Sequence, residues 1–195
     1  LPWAALVGLG VVLNKDGSFQ RTAKFRGPDL DSAVAAELVA VAGRINNAVR
    51  RLGSGWSIFV EAQRSEAATY PDSAFPDPAS ALVDAERKAG FEEADAHFVS
   101  GYFLTFLWLP PVEEAARTEA WLYEGREKTG VDPWELLRGF IDRTDRVLAL
   151  LDGFMPECRW MDDGATLTFL HSTISTNRHR VRVPEVPMHL SLIHI

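Results

Sequence analysis

The sequence predicts an α+β fold with a mixed or antiparallel sheet, and three observations lead there. Near the start, two extended runs carrying Val11, Leu13, Phe19 and Phe25 flank Lys15-Asp16-Gly17. Asp-Gly between apolar runs is a hairpin signal, because both residues tolerate positive φ. After that hairpin, helical and extended patterns interleave to the end of the chain. The helices also carry start signals: Asp77-Pro78 and Asp132-Pro133-Trp134-Glu135 each place a capping carboxylate before a proline at the first helical position. An opening hairpin distinguishes this order from a doubly wound parallel sheet. The order also accommodates two packed αβ subunits dividing near residues 127–133.

Each element has its own reason. Residues 1–13 are uncharged and apolar but make up only a fraction of the roughly 20 residues a spanning helix needs. They also lack the basic start of a signal peptide. Pro2, Gly8 and Gly10 suit a strand and loop, so the segment reads as a first core strand or as a membrane contact. Asp31 or Ser32 offers an N-cap oxygen, and Val34, Leu38, Val41, Ile45, Val49 and Leu52 follow at spacings of three and four, one apolar helix face ending near Gly53. Trp56, Ile58 and Val60 alternate with Ser57, Phe59 and Glu61, which predicts a strand. A loop over 64–76 leads to a helix over 78–96, with Leu82, Ala85 and Ala89 on one side. Its Glu86, Arg87, Lys88, Glu93 and Asp95 read as a solvated face.

Residues 98–109 are the most apolar run. Their aromatics favour a strand buried on both faces, stopped by Pro110-Pro111. A weakly patterned helix over 113–127 follows. The helix that starts at Pro133 buries Leu137, Phe140, Ile141, Thr144, Leu148 and Leu151 and ends at Gly153 and Pro156. A short strand over 157–161 precedes a helix capped by Asp162 or Asp163 and carrying Leu167, Leu170, His171 and Ile174. The last patterned stretch, 178–183, is extended.

The chain has 195 residues, 47 % apolar and 24 % charged, enough for one domain or two small ones with a core. A net charge of −7 argues against the whole chain acting as a nucleic-acid clamp. Contact with nucleic acid through a local basic patch stays open. One cysteine, Cys158, cannot form an internal disulfide.

Residue type and spacing also bound the chemistry. A phosphate-binding loop needs glycines, a lysine and a hydroxyl in G-x-x-x-x-G-K-[ST]. Of the four lysines only Lys128 precedes a hydroxyl, and Glu127 stands where the glycine should be, so that stretch reads as a helix-end loop. Asp162-Asp163 suits a helix N-terminus rather than a metal-binding strand end. Cys158 has no histidine near it in sequence, and His97, His171, His179 and Cys158 lack zinc-ligand spacing. His171 reads as a core or interface histidine. No catalytic, cofactor-binding or metal-binding residue is therefore expected. The candidate partner surface is Arg178, Arg180 and Arg182, which alternation places on one face of an extended run. Such a row suits an acidic partner, nucleic acid or lipid headgroups; it equally suits an exposed strand edge protected from aggregation.

Five blocks resemble one family in the same order: GVVLNKDGSFQRTAKFRGPDL, RRLGSGWSIFVEAQR, YFLTFLWLPP, DRTDRVLALLDGFMPECRW and HRVRVPEVPM. The chain resembles the N-terminal region of the CagE/TrbE/VirB family of type IV secretion ATPases over residues 1–189. The resemblance implies a docking and assembly domain of a conjugal-transfer motor, peripheral on the cytoplasmic face of the bacterial inner membrane. It implies inner-membrane and neighbouring channel subunits as partners and a homo-oligomer at full length. ATP and Mg²⁺ would belong to a C-terminal RecA-like domain that residues 1–189 do not include, where hydrolysis would power pilus assembly or DNA and protein transfer. Residues 190–195, Leu-Ser-Leu-Ile-His-Ile, break the pattern. They can be encoded by CTG TCT CTT ATA CAC ATC, a transposon end used in library preparation, and are expected to be a sequencing artefact. The alternatives are a stand-alone α+β adaptor and a small hydrolase using a carboxylate or His171.

Overall fold

The computed structural model describes residues 1–67, 69–93, 97–111, 132–176 and 179–183. Six strands and four helices are found among them: β1 (Trp3–Gly8), β2 (Val11–Asn14), β3 (Phe19–Arg26), α1 (Ala35–Val49), β4 (Trp56–Glu66), α2 (Pro78–Glu93), β5 (Phe98–Trp108), α3 (Pro133–Asp152), β6 (Glu157–Trp160) and α4 (Asp163–Ser172). The strands form one sheet in the order β1-β2-β3-β5-β4, and β6 also pairs with β3. The fold is α+β, as the sequence predicts. The expected helix over 113–127 and most of the expected boundary near 127–133 lie outside the described residues.

Two hairpins open the chain. The predicted one closes with Asn14 N donating to Ser18 O at 2.8 Å, and Asp16 Oδ1 accepts from Ser18 N and Ser18 Oγ at 3.0 and 2.6 Å. Gly17 has φ +80°, which the Asp-Gly signal required. The other hairpin joins β1 to β2, pairing Leu6 with Val12 and Gly8 with Val11. Residues 1–13 are therefore two strands rather than one, and Val11, Val12 and Leu13 are wholly buried. Its turn is secured from far away: Gly10 N donates to Asp163 Oδ1 at 2.7 Å.

β3 is shared between partners. Its first half pairs with β2, Leu13 opposite Phe19, and its second half with β6, Phe25 opposite Cys158. Both pairings are antiparallel.

The chain divides into two compact units. The first is residues 1–61 and 103–195; the second is residues 62–102, so the boundary falls within β4 and β5. The first unit's core has three clusters. Val11, Leu13, Phe19, Trp108, Leu136, Leu137 and Phe140 form one; Trp3, Leu6, Val12, Met161, Leu167, Phe169, Leu170 and Val181 form another. The third gathers Ala23, Ala48, Leu52, Leu104, Phe106, Val147, Leu148, Leu151 and Cys158. Helix α3 supplies all but one of its predicted buried positions, Ile141 being half-buried, and Leu136 and Val147 in addition. Its Asp132 caps as expected, Oδ1 accepting from Trp134 N at 3.0 Å.

Four expectations are corrected. The N-cap of α1 is Val34, not Asp31 or Ser32, and Glu37 Oε2 accepts from Val34 N at 2.9 Å. Its apolar stripe is largely uncovered: only Ala48 of the helix is buried, while Val34, Leu38 and Ile45 are exposed. Strand β5 is buried only in its second half, from Leu104 onward, because its first half belongs to the second unit. In α4, Ile174 lies beyond the last turn and is exposed.

A buried cation marks the junction of β3, α3 and β6. The Arg21 guanidinium lies 4.0 Å over the Trp160 ring and donates to Asp145 Oδ1 at 2.7 Å. Trp160 Nε1 donates to the same oxygen at 2.7 Å. Burial pushes the Arg21 pKa below its ordinary value, and the Asp145 hydrogen bond and charge oppose that shift. One half-exposed carboxylate thus partners the buried Arg21 guanidinium, which would otherwise be left uncompensated, and the Trp160 indole N–H as well.

Candidate interaction surface

The predicted basic row is only partly described. Arg180 and Arg182 are exposed and Val181 between them is buried, but His179 and Val183, expected on the side of Val181, are exposed as well; Arg178 lies outside the described residues. Residues 179–183 do not form a strand, however. The segment is held by α4 instead: Val181 N donates to Thr168 Oγ1 at 3.0 Å and its side chain joins the core with Leu167, Phe169 and Leu170. A docked strap therefore presents the two arginines, and the strand-edge explanation does not apply to it.

Asp162 and Asp163 serve the start of α4. Asp162 Oδ1 accepts from Ala165 N at 2.7 Å, and Asp163 ties the helix to the Gly10 turn. That turn's N–H is already taken, so it cannot cradle a phosphate. The described lysines, Lys15, Lys24 and Lys88, follow Asn14, Ala23 and Arg87 rather than glycine. Lys128 and Thr129 lie outside the described residues.

Sequence reasoning missed one juxtaposition. His171, only 7 % exposed, meets His179 with ring centroids 4.3 Å apart, and its Nδ1 has no hydrogen-bond partner. Among the described residues no three His, Cys, Asp or Glu side chains gather as a metal site. His97 is elsewhere, stacked on Phe91.

Cys158 is buried under α3, and its thiol is pushed up to about 11, first by burial and then by the Asp152 charge. A thiol so shifted stays protonated at neutral pH and is a poor nucleophile. The unfolded thiol ionises near its ordinary value, so its contribution to stability is complete below about pH 9. That contribution is lost as pH rises toward 11. Denaturant titrations are expected to show this loss between those values in the native chain and not in Cys158→Ala. Iodoacetamide is expected to label Cys158 only once the chain unfolds.

Another uncovered apolar feature lies elsewhere. β4 is the last strand in the sheet order, and Ile58, Phe59 and Val60 are all exposed, Phe59 by 56 % and Val60 by 68 %. Successive residues of a strand face opposite sides, so apolar surface lies bare on both faces of an edge strand. The sequence held the signal: three consecutive large apolar residues break the alternation expected of a half-covered strand. On the same unit α1 exposes Val34, Leu38, Val39 and Ile45. Among the described residues no helix is long and apolar enough to cross a membrane.

A family model described as the type IV secretion system ATPase VirB4/TrbE, N-terminal domain, matches residues 10–116, a stretch that includes β4 and α1. The conjugal transfer protein TrbE of Rhizobium radiobacter is 34 % identical over 209 residues, covering 97 % of this chain and 25 % of that protein. The first part of the probable conjugal transfer protein TrbE of Sinorhizobium fredii (strain NBRC 101917 / NGR234) is 42 % identical over 123 residues, covering 62 % of this chain and 81 % of that protein. The chain thus spans about a quarter of the first relative and matches most of the second. With the family model aligned over 10–116 and both relatives similar along the chain, the chain belongs to the VirB4/TrbE family of type IV secretion system ATPases and carries that family's N-terminal domain.

Proposed function

We propose that this domain docks and assembles a conjugal-transfer motor. It positions the ATPase on the cytoplasmic face of the inner membrane, against membrane subunits of the secretion channel and against neighbouring copies. ATP hydrolysis, in a C-terminal region of the full-length protein, would then power pilus assembly or substrate transfer. The observation that supports this reading is the apolar surface bared on an otherwise well-cored unit, at Ile58, Phe59 and Val60 of the edge strand and along α1. Uncovered strand edges invite pairing, and native proteins seldom leave them apolar unless a partner covers them.

The test is recovery of the other secretion subunits with the tagged chain after co-expression. Phe59→Asp with Val60→Lys is expected to reduce that recovery about tenfold or more. Arg180→Glu with Arg182→Glu is expected to reduce it less, because exposed charges mainly alter association rate. Circular dichroism spectra of both variants are expected to match that of the native chain. Undiminished recovery with the β4 variant, or no recovery with the native chain, would overturn the reading.

A further inference from the structure

We propose that the outer face of α2, in the second unit, receives a cationic amphipathic helix of a protein partner. This rests on the docking reading and adds the chemistry of the partner. Among the described residues, the contacts that anchor helix α2 lie on one side. Asp77 Oδ2 caps it, accepting from Ser80 N at 2.9 Å and from Ser80 Oγ at 3.0 Å. Phe91 stacks on His97 at 3.9 Å and meets Tyr70 edge-on at 5.5 Å, while Tyr70 OH donates to Asp84 Oδ1 at 2.7 Å. Phe91 and Asp84 therefore mark its inward side.

The opposite side carries Ala79, Leu82, Glu86, Ala89 and Glu93. Spacings of three and four place these on one stripe, and all five are exposed, Leu82 by 68 %. No residue of α2 is buried. On the flank between this stripe and Asp84 lies a shallow groove of about 340 Å³, apolar at Phe75, Ala79 and Val83 and polar at Ser80, Asp84 and Arg87. A helix that is uncovered on its apolar positions yet held in place is a surface waiting for a partner.

Charge selects the occupant. Residues 62–102 hold eight Asp and Glu against Arg64, Arg87 and Lys88, a formal −5 out of the chain's −7. Of those three cations, Arg64 is stacked 4.4 Å over the Phe98 ring. An anionic lipid surface or a nucleic acid would be repelled. A helix with lysines or arginines on its polar face would be attracted: its cations meet Glu86 and Glu93, and its apolar residues cover Leu82 and enter the groove beside Val83. The 16 residues of α2 span about 24 Å, enough for some four turns of a partner. Segments rich in lysine and arginine commonly flank membrane spans on the cytoplasmic side.

The experiment titrates the isotope-labelled chain with a synthetic 18-residue helix of leucine and lysine, and with a scrambled peptide of the same composition that is not amphipathic. Amide shifts are expected to concentrate on residues 75–93. Affinity is expected to fall about tenfold in Glu86→Lys/Glu93→Lys and in Leu82→Ser, and the scrambled peptide to bind more weakly than the helix. Shifts centred elsewhere, or equal binding by the charge-reversed variant, would overturn the proposal; so would stronger binding to phosphatidylglycerol vesicles than to the peptide. Co-expression separates this from the docking reading. If the α2 variants recover the secretion subunits normally while the β4 variant does not, the α2 proposal fails and docking stands. If neither variant changes recovery, both fail.

Discussion

Phe140→Ala is expected to lower the unfolding free energy by about 3–5 kcal/mol, the range for removing a large buried aromatic side chain. Phe140 is wholly buried on α3 and sits at the centre of four stacked rings. Its centroid lies 5.6 Å from Phe19, 5.5 Å from Trp56 and 6.5 Å from Trp108, with Trp56 and Trp108 themselves 5.8 Å apart. The side chain therefore joins α3 to β3, β4 and β5 at once. Truncation leaves a cavity bounded by strands that cannot collapse toward the helix, so the cost lies well above transfer alone. The melting midpoint should fall on the order of 10 °C for a domain of this size. Near-ultraviolet circular dichroism should lose intensity too, since two tryptophans lose a stacking partner. Phe140→Leu, which keeps most of the volume, should cost only about 1 kcal/mol. Equal melting of the alanine variant and the native chain would mean that the four rings do not pack as described.

Gly10→Ala is expected to cost about as much for a different reason. Gly10 has φ +65°, a conformation that strains any side chain by about 1–3 kcal/mol. A Cβ there would also overlap the Met161 carbonyl oxygen, a backbone atom at the end of β6 that Met161 N fixes by donating to Thr22 O at 3.1 Å. Relief would pull the β1–β2 turn off α4 and break the Gly10–Asp163 hydrogen bond. A total loss of about 3–5 kcal/mol follows, read as the shift in denaturant midpoint at unchanged m-value. Gly43→Ala is the control. Gly43 lies inside α1 with nothing within 4 Å of an added Cβ, and alanine there should stabilise by up to about 1 kcal/mol. A Gly10→Ala variant as stable as the Gly43→Ala variant would show that the turn is free to move.

Local chemistry was legible wherever neighbours in sequence are also neighbours in space. The Asp16-Gly17 turn, the caps at Asp132 and Asp162 and the buried stripe of α3 all lie within a few residues of their causes. The same holds for the choice of α+β over a doubly wound sheet, because the opening hairpin is itself a local structure. The family was legible too, since its blocks run through the chain in order.

What escaped sequence reading depends on residues far apart. Turn formation at Gly10 is completed by Asp163, 153 positions away, so 1–13 could not be divided from its own composition. Arg21 is buried because Trp160 and Asp145, far away in sequence, close over it. Helix α1 has an apolar stripe, and periodicity says only that such a stripe would rather be covered; whether a layer of the same chain covers it is decided by packing. Here Ala48 and Leu52 are covered and Val34, Leu38 and Ile45 are not.

The candidate surfaces follow the same division. Alternation alone set Arg180 and Arg182 on one side of Val181, whereas Thr168 and the α4 core made that stretch a docked strap rather than a strand. Ile58, Phe59 and Val60 are apolar in any reading; that they are bare on the last strand of the sheet is seen only in the folded chain. By itself the sequence determined the fold class, most of the helix starts, the predicted hairpin and the family, because these rest on short-range geometry and on residue order. Tertiary structure alone decided which apolar faces are buried and which remain for a partner. Burial is a property of the neighbours brought together by folding, and no residue carries that information alone.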